Sequence, residues 1–162
     1  IIKKEANTIS KTVIEKKIYP NLHLFFNNLK TKRVSLRFLN QRDMTKEWSL
    51  KEKWDFLTEK LTEKFSEGEE LNVDGIIYLI GVQELGKGYR TFKKDEKLNL
   101  MHIAICKLLE PYGYYEFDFF DEDGWPHYKI ITELPNLKPG EQTILMKEAI
   151  LSYFESLVFF ED

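Results

Sequence analysis

Several stretches of the chain carry residue types at spacings that could do chemistry. Gly81-Val-Gln-Glu-Leu-Gly86-Lys87-Gly88 approaches the G-x-x-x-x-G-K-[ST] loop, in which backbone N–H groups cradle phosphates and a final hydroxyl holds Mg²⁺. Here Gly88 stands where that hydroxyl belongs, Glu84 would place a carboxylate among the phosphates, and Val82 and Leu85 fill positions usually small. The expectation is a helix end followed by a glycine turn rather than a nucleotide site. His102, His127 and Glu84 form the one set that suits a transition metal, since two imidazoles and a carboxylate are ordinary Zn or Fe ligands. They come from separate segments with no His-x-x-x-His or Glu-x-x-His spacing, so a metal site requires the fold to bring them together. Without that, His102 reads as a core histidine on the edge of an apolar helix face, and neither a metal nor a cofactor is expected.

Other candidates are weaker. Asp121-Glu-Asp-Gly124 resembles a fragment of a calcium loop, but the aligned first and twelfth positions are Phe119 and Ile130, which cannot complete an oxygen cage. Cys106 is the single cysteine and lies in an apolar helical pattern, which points to a buried, inert thiol and a reducing, cytoplasmic setting. No G-x-S-x-G nucleophile motif occurs. Two turns, Gly86-Lys-Gly-Tyr-Arg90 and Asp123-Gly-Trp-Pro-His-Tyr128, mix glycine, aromatic and charged side chains, the usual composition of binding loops. Glu84, Tyr89, Arg90, His102, Trp125 and His127 are therefore the ligand-binding candidates.

These residues must be positioned by elements legible in the hydrophobic pattern. Ile2, Ala6, Ile9 and Val13 keep helical spacing, and a second helix is expected from Pro20 to about Leu29. Val34, Leu36 and Phe38 alternate with Arg33, Ser35 and Arg37, as in a short strand. Ser49 followed by Glu52 is a capping-box signature, and Leu50, Trp54, Leu57, Leu61 and Phe65 then hold helical spacing up to Gly68. The run Ile76–Val82 is read as a helix that Asp74 could cap and Gly86 would end. Asp95–Glu110 is a helix apolar nearly all round, hence central, and Pro111 and Gly113 stop it. Tyr115, Phe117 and Phe119 alternate with Glu116 and Asp118, turn residues follow, and His127–Thr132 is again strand-like, which makes a hairpin. A last helix spans about Gly140 to Val158. The expected fold is mainly α: a helical core of about five helices with a small antiparallel β-hairpin near 114–132, in a single domain of 162 residues.

Charge is divided unevenly along this chain. Residues 1–66 hold 15 Lys and Arg against 8 Asp and Glu, and residues 67–162 hold 9 against 19, so the net −3 conceals +7 followed by −10. The basic part begins in the N-terminal region, 1–46, and the acidic remainder covers 67–162. Such a split points to internal complementarity, for instance Arg33 and Arg37 beside Glu116 and Asp118, or to association with another protein chain or a second copy. Nucleic acid is disfavoured, because an acidic remainder repels phosphate and no recognised motif occurs. The longest apolar run is far short of the ~20 residues that span a bilayer, so no membrane segment is expected, and no secretory-signal pattern is read. Aromatics are 23 of the 162 residues, and a dense group from Tyr112 to Tyr128 must face something.

The stretch Ile76 to Tyr128, with GVQELGKGYR, NLMHIAICKLLEPYGYYEF and DEDGWPHY, resembles an uncharacterised family of small bacterial proteins. The resemblance covers the central third of the chain and implies a stand-alone cytoplasmic bacterial protein. It carries no activity and no catalytic residues. From the residues themselves the leading expectation is a non-enzymatic interaction or assembly module with charge-separated surfaces. The alternative is a small enzyme or ligand-binding protein, metal-dependent in one version, with its pocket near His102 and His127.

Overall fold

The computed structural model describes residues 48–65, 70–88 and 90–159. The expected helices over 2–13 and 20–29, the strand at 34–38, and Tyr89, Arg33 and Arg37 lie outside the described residues. Within them the chain is mainly helical with one small antiparallel sheet, and it has four α-helices rather than about five. These are α1 (Leu50–Phe65), α2 (Val73–Leu85), α3 (Lys94–Leu109) and α4 (Pro139–Phe159), with strands β1 (Tyr115–Phe120) and β2 (Pro126–Ile130) between α3 and α4.

Local chemistry sets the helix ends. The Ser49 N–H donates to Glu52 Oε2 at 2.9 Å and the Glu52 N–H to Ser49 Oγ at 3.3 Å, which is the reciprocal cap its spacing predicts. At α2 the cap is Asn72 rather than Asp74: Asn72 Oδ1 accepts the Gly75 N–H at 2.8 Å. Asn72 and Asp74 are both competent caps, and the helix starts one turn-step earlier than the apolar run alone indicates. Gly86 ends α2 in the left-handed region, φ 65°, with its N–H on the Val82 carbonyl. Pro111 sits in a short 3₁₀ turn, Glu110–Tyr112, that closes α3 before Gly113.

The core is built on α2 and α3. Ile76, Ile80, Leu100, Leu108 and Ile150 are fully buried, and Trp54, Leu61 and Phe65 bring α1 against them. Burial of α2 is continuous from Gly75 to Val82, which explains an apolar run without periodicity. The two helices meet at Gly81, where a Cβ would stand 2.2 Å from the Leu100 carbonyl oxygen. Only glycine permits that approach. On α3, Leu100, Ala104 and Leu108 are buried while Leu98 and Ile105 are half-buried, so the inward face is rotated slightly from the one the strongest apolar residues suggest. No helix among the described residues is long and apolar enough to cross a membrane.

In the sheet, Tyr115 faces Ile130, Glu116 faces Lys129 and Phe117 faces Tyr128; beyond that, Phe119 faces His127 and Phe120 faces Pro126. Asp118 is therefore an extra residue in β1, a bulge that reverses the alternation. Tyr115, Phe117 and Phe120 consequently share one face with Pro126, Tyr128 and Ile130, and Glu116 and Phe119 share the other with His127 and Lys129.

Candidate functional site

The two glycine-aromatic turns singled out in the sequence meet in space. The Lys87 ammonium donates to the Asp123 carbonyl, and its Cε lies 3.5 Å from where a Gly124 Cβ would be. Gly124 has φ 71°, so a side chain there would be strained even though space remains for it. The Arg90 guanidinium lies 4.6 Å from the Phe92 ring centre and 5.8 Å from that of Trp125. It also donates from Nη2 to Glu96 Oε1 at 2.5 Å. Glu96 in turn accepts the Lys93 N–H at 2.8 Å, and that bond first, with Arg90, holds its carboxyl below the usual range. Arg90 Nε is buried without a hydrogen-bond partner among the described residues. Arg90 and Trp125 are thus brought together, and together with Lys87 they brace the hairpin turn against the end of α2.

Glu84 points elsewhere. It accepts the Tyr153 hydroxyl at 2.6 Å, tying α2 to α4 in a half-buried setting. Burial, then the Glu84 charge, pushes the Tyr153 phenol far upward, and the same two causes raise Tyr128. Both phenols stay protonated, and Tyr153 is the donor to Glu84. Nothing in the sequence pattern links residues 84 and 153, and this pair was not legible there.

His102 is exposed, a correction to the expected core histidine. It sits at the rim of α3, its Nε2 3.6 Å from Cys106 Sγ one turn on and its ring edge-on to Tyr115 at 6.5 Å. Cys106 is fully buried, and burial pushes its thiol up to about 12, which makes it the inert thiol expected. His127 lies at the hairpin's far end. Its Nε2 is 3.0 Å from Asp121 Oδ2, and its ring stacks on Phe119 with centres 4.7 Å apart and planes 4° from parallel. Asp121 is held below the usual carboxylate range, first by that bond and then by the Trp125 N–H on Oδ1 at 2.8 Å.

His102 therefore touches Tyr115 and His127 touches Phe119, four residues further along β1, which corresponds to roughly 13 Å of extended strand. With Glu84 engaged by Tyr153, the three candidate ligands do not converge. Among the described residues no group of three His, Cys, Asp or Glu side chains could hold a metal ion.

The hairpin has a second character. Phe117, Phe119 and Phe120 are 37%, 51% and 62% exposed, and Ile130 and Ile131 are 67% and 52% exposed. Phe117 packs on Phe120 with ring centres 4.9 Å apart and edge-on to Tyr128 at 6.0 Å, so these three rings form a cluster on one face, while Phe119 lies on the other. Pro126 on the same face is buried and Tyr115 and Tyr128 are half-buried, whereas Phe117, Phe120 and Ile130 on that face stay exposed. Around this cluster the segment 110–134 holds seven acidic residues and one basic residue, Lys129, a balance of −6. Glu116 pairs with Lys129 at 3.2 Å, and Glu110 Oε1 accepts the outward Phe117 N–H at 3.2 Å. Asp118 has no partner among the described residues. The interaction candidates Glu116 and Asp118 are both exposed; Arg33 and Arg37 fall outside the described residues.

Compared with known proteins, the chain matches no protein-family model, no curated protein and no solved structure.

Proposed function

We propose that this chain is a non-enzymatic interaction or assembly module whose working surface is the acidic, aromatic hairpin Tyr115–Ile130. One observation carries the reading: four large apolar side chains of one short hairpin, Phe117, Phe119, Phe120 and Ile130, stand exposed, with exposed Ile131 directly after it. Large apolar groups gathered on a surface and rimmed by charge are the usual marks of a protein contact, and aromatic residues are enriched at such contacts. The candidate polar residues fit a supporting role. Lys87, Arg90 and Trp125 fix the hairpin turn, while Glu84, His102 and His127 each satisfy a separate neighbour. The expected partner is protein, and the acidic rim selects a basic one.

The test places a photo-reactive benzoyl-phenylalanine at position 120 of the full chain, with the same residue at the exposed Glu148 of α4 as control. Irradiation in the cell that expresses the chain is expected to yield adducts heavier than one chain from position 120 and not from 148. Products of single-chain mass alone from position 120 would overturn the reading.

A further inference from the structure

Resting on that reading of the hairpin, we infer that the outer edge of β2 is where the partner binds. An extended segment, basic at its ends and apolar at alternate positions between them, adds to the sheet there as a third strand.

The two edges of the hairpin are not alike. The Ile131 N–H donates inward, to the Tyr114 carbonyl at 2.9 Å, and the Phe117 N–H points outward, to Glu110 Oε1 at 3.2 Å. In an antiparallel pair, residues directly opposite alternate between exchanging both backbone bonds and exchanging none. Glu116 with Lys129 is therefore an exchanging pair, and Tyr115 with Ile130 and Phe117 with Tyr128 are not. The N–H and C=O groups of Tyr128 and Ile130 consequently point away from β1. The edge of β1 is closed to a further strand, since the Glu110 carboxylate occupies the Phe117 N–H and the Asp118 bulge breaks the spacing. The edge of β2 has no bulge, and among the described residues no backbone group pairs with it. Pro126 brings no N–H, so β2 offers outward donors only at Tyr128 and Ile130. So short an edge resists open-ended stacking and still takes one segment. A two-stranded hairpin is marginal by itself, and a third strand also stabilises it.

Side chains set the chemistry of that segment. A residue directly opposite Tyr128 or Ile130 lies on their face of the sheet. Ile130, 67% exposed, is the most exposed large apolar side chain of the hairpin, and Tyr128 on the same face is half-buried. Apolar residues at every second position cover both. On the other face His127 and Lys129 already have Asp121 and Glu116 as partners, so uncharged polar residues suit the positions between. Beyond the ends of β2 stand exposed carboxylates, Glu122 and Asp123 before it and Glu133 after it. Lysine or arginine at each end of the segment meets them, whichever way the segment runs. A second copy fits poorly. The two-fold register that overlaps all of β2 sets Tyr128 against Tyr128 and brings Asp123 toward Glu133, so like charges meet at both ends.

The experiment titrates the full chain with a synthetic peptide, Lys-Lys-Val-Thr-Val-Thr-Val-Lys-Lys, to a concentration on the order of millimolar, and follows backbone amides by NMR. Saturable binding is expected, with exchange of the Tyr128 and Ile130 amides slowed at least tenfold and that of the Phe117 amide unchanged. N-methylation of the valines removes the donors that face β2 and is expected to weaken binding at least tenfold. N-methylation of the threonines puts the methyl groups on the far edge and leaves binding unchanged. Replacing the lysines by glutamate is expected to weaken binding at least tenfold. No saturable binding, or valine and threonine methylation acting alike, overturns the pairing. Binding that shifts the Phe117 and Phe120 signals alone overturns it as well, while leaving the hairpin a contact surface. Tyr128 and Ile130 amides already protected in the free chain show a covered edge and overturn the inference. Equal binding of the glutamate peptide overturns the basic occupant. The hairpin as a contact surface falls separately, on the absence of heavier adducts from position 120 in the cell.

Discussion

Substituting Gly81→Ala sets two opposed effects against each other, and the geometry decides between them. Alanine in a helix interior is favoured over glycine by about 1 kcal/mol. At Gly81, however, the added Cβ would lie 2.2 Å from the Leu100 carbonyl oxygen and 2.6 Å from its carbonyl carbon. An ordinary contact begins at 3.4 Å, so α2 and α3 must part by about 1.2 Å, the difference between 3.4 and 2.2 Å. Both contacting atoms are backbone, and no rotamer change relieves them. Overpacking of this kind costs about 1–3 kcal/mol or more, and a forced backbone shift belongs at the upper end. The net effect is a destabilisation of about 2 kcal/mol. In urea melts of the full chain this appears as a lowered midpoint with an unchanged slope, and in thermal melts as a loss of roughly 4–8 °C. Gly75→Ala is the control: its Cβ would be 3.3 Å from two side-chain atoms, Asn72 Oδ1 and Leu71 Cδ2, which can move, and its effect should stay within about 1 kcal/mol. An unchanged or raised midpoint for Gly81→Ala would refute the close contact between α2 and α3.

Other consequences are directly measurable. Asn72→Ala removes the cap on the Gly75 N–H and should cost about 1 kcal/mol in the same melts, whereas Asp74→Ala should cost clearly less. Cys106 should resist alkylation by iodoacetamide at pH 8 roughly 10³-fold relative to a free cysteine, because its thiol is pushed up to about 12 and fully buried; fast labelling without denaturant would contradict the placement of α3. Asp121 has its carboxyl lowered in the folded chain by His127 and the Trp125 N–H, so its contribution is present above an unfolded value near 4. It is lost as pH falls through and below that value. Protection factors of the 121–125 amides, with the intrinsic pH dependence of exchange divided out, should therefore fall on acidification below about pH 4, and Asp121→Asn should show the lowered protection already at neutral pH.

How far the sequence carried depended on whether a feature is local. The Ser49–Glu52 cap, the Gly86 helix end and the stop at Pro111 and Gly113 are fixed within four or five residues, and each stands where the residues put it. The Ile76–Val82 run has no period because its helix is buried on all sides, and its length and flanking caps were what identified it. His102 shows the limit. Its wheel position borders Leu98 and Leu109, but which border faces solvent depends on where the hairpin docks, and Tyr115 covers only one edge of the ring. The Asp118 bulge is likewise invisible to alternation, since Tyr115, Phe117 and Phe119 read as one face until β2 shows that Phe119 has crossed to the other. Contacts between distant segments, Glu84 with Tyr153 and Lys87 with Asp123, have no sequence period to betray them.

The bulge also bears on why the hairpin is exposed as it is. A regular β1 would place Phe119 with Tyr115 and Phe117, and Phe120 on the opposite face with Glu116. The extra residue instead sets Phe120 against Phe117, at 4.9 Å, and Phe119 against His127, at 4.7 Å. Aromatic side chains then stand on both faces of a two-stranded sheet that the rest of the described fold covers only at Pro126, Tyr128 and Tyr115. Leaving such groups in water forgoes about 25 cal/mol for every Å² of apolar surface that could be buried. The brace at Lys87, Arg90 and Trp125 holds the turn while leaving these rings uncovered, so its geometry presents the surface rather than burying it. A hairpin serving only to close the end of the core would be expected to turn its rings inward, as Pro126 does. Held outward within an acidic rim, these rings are open to the protein contact proposed above.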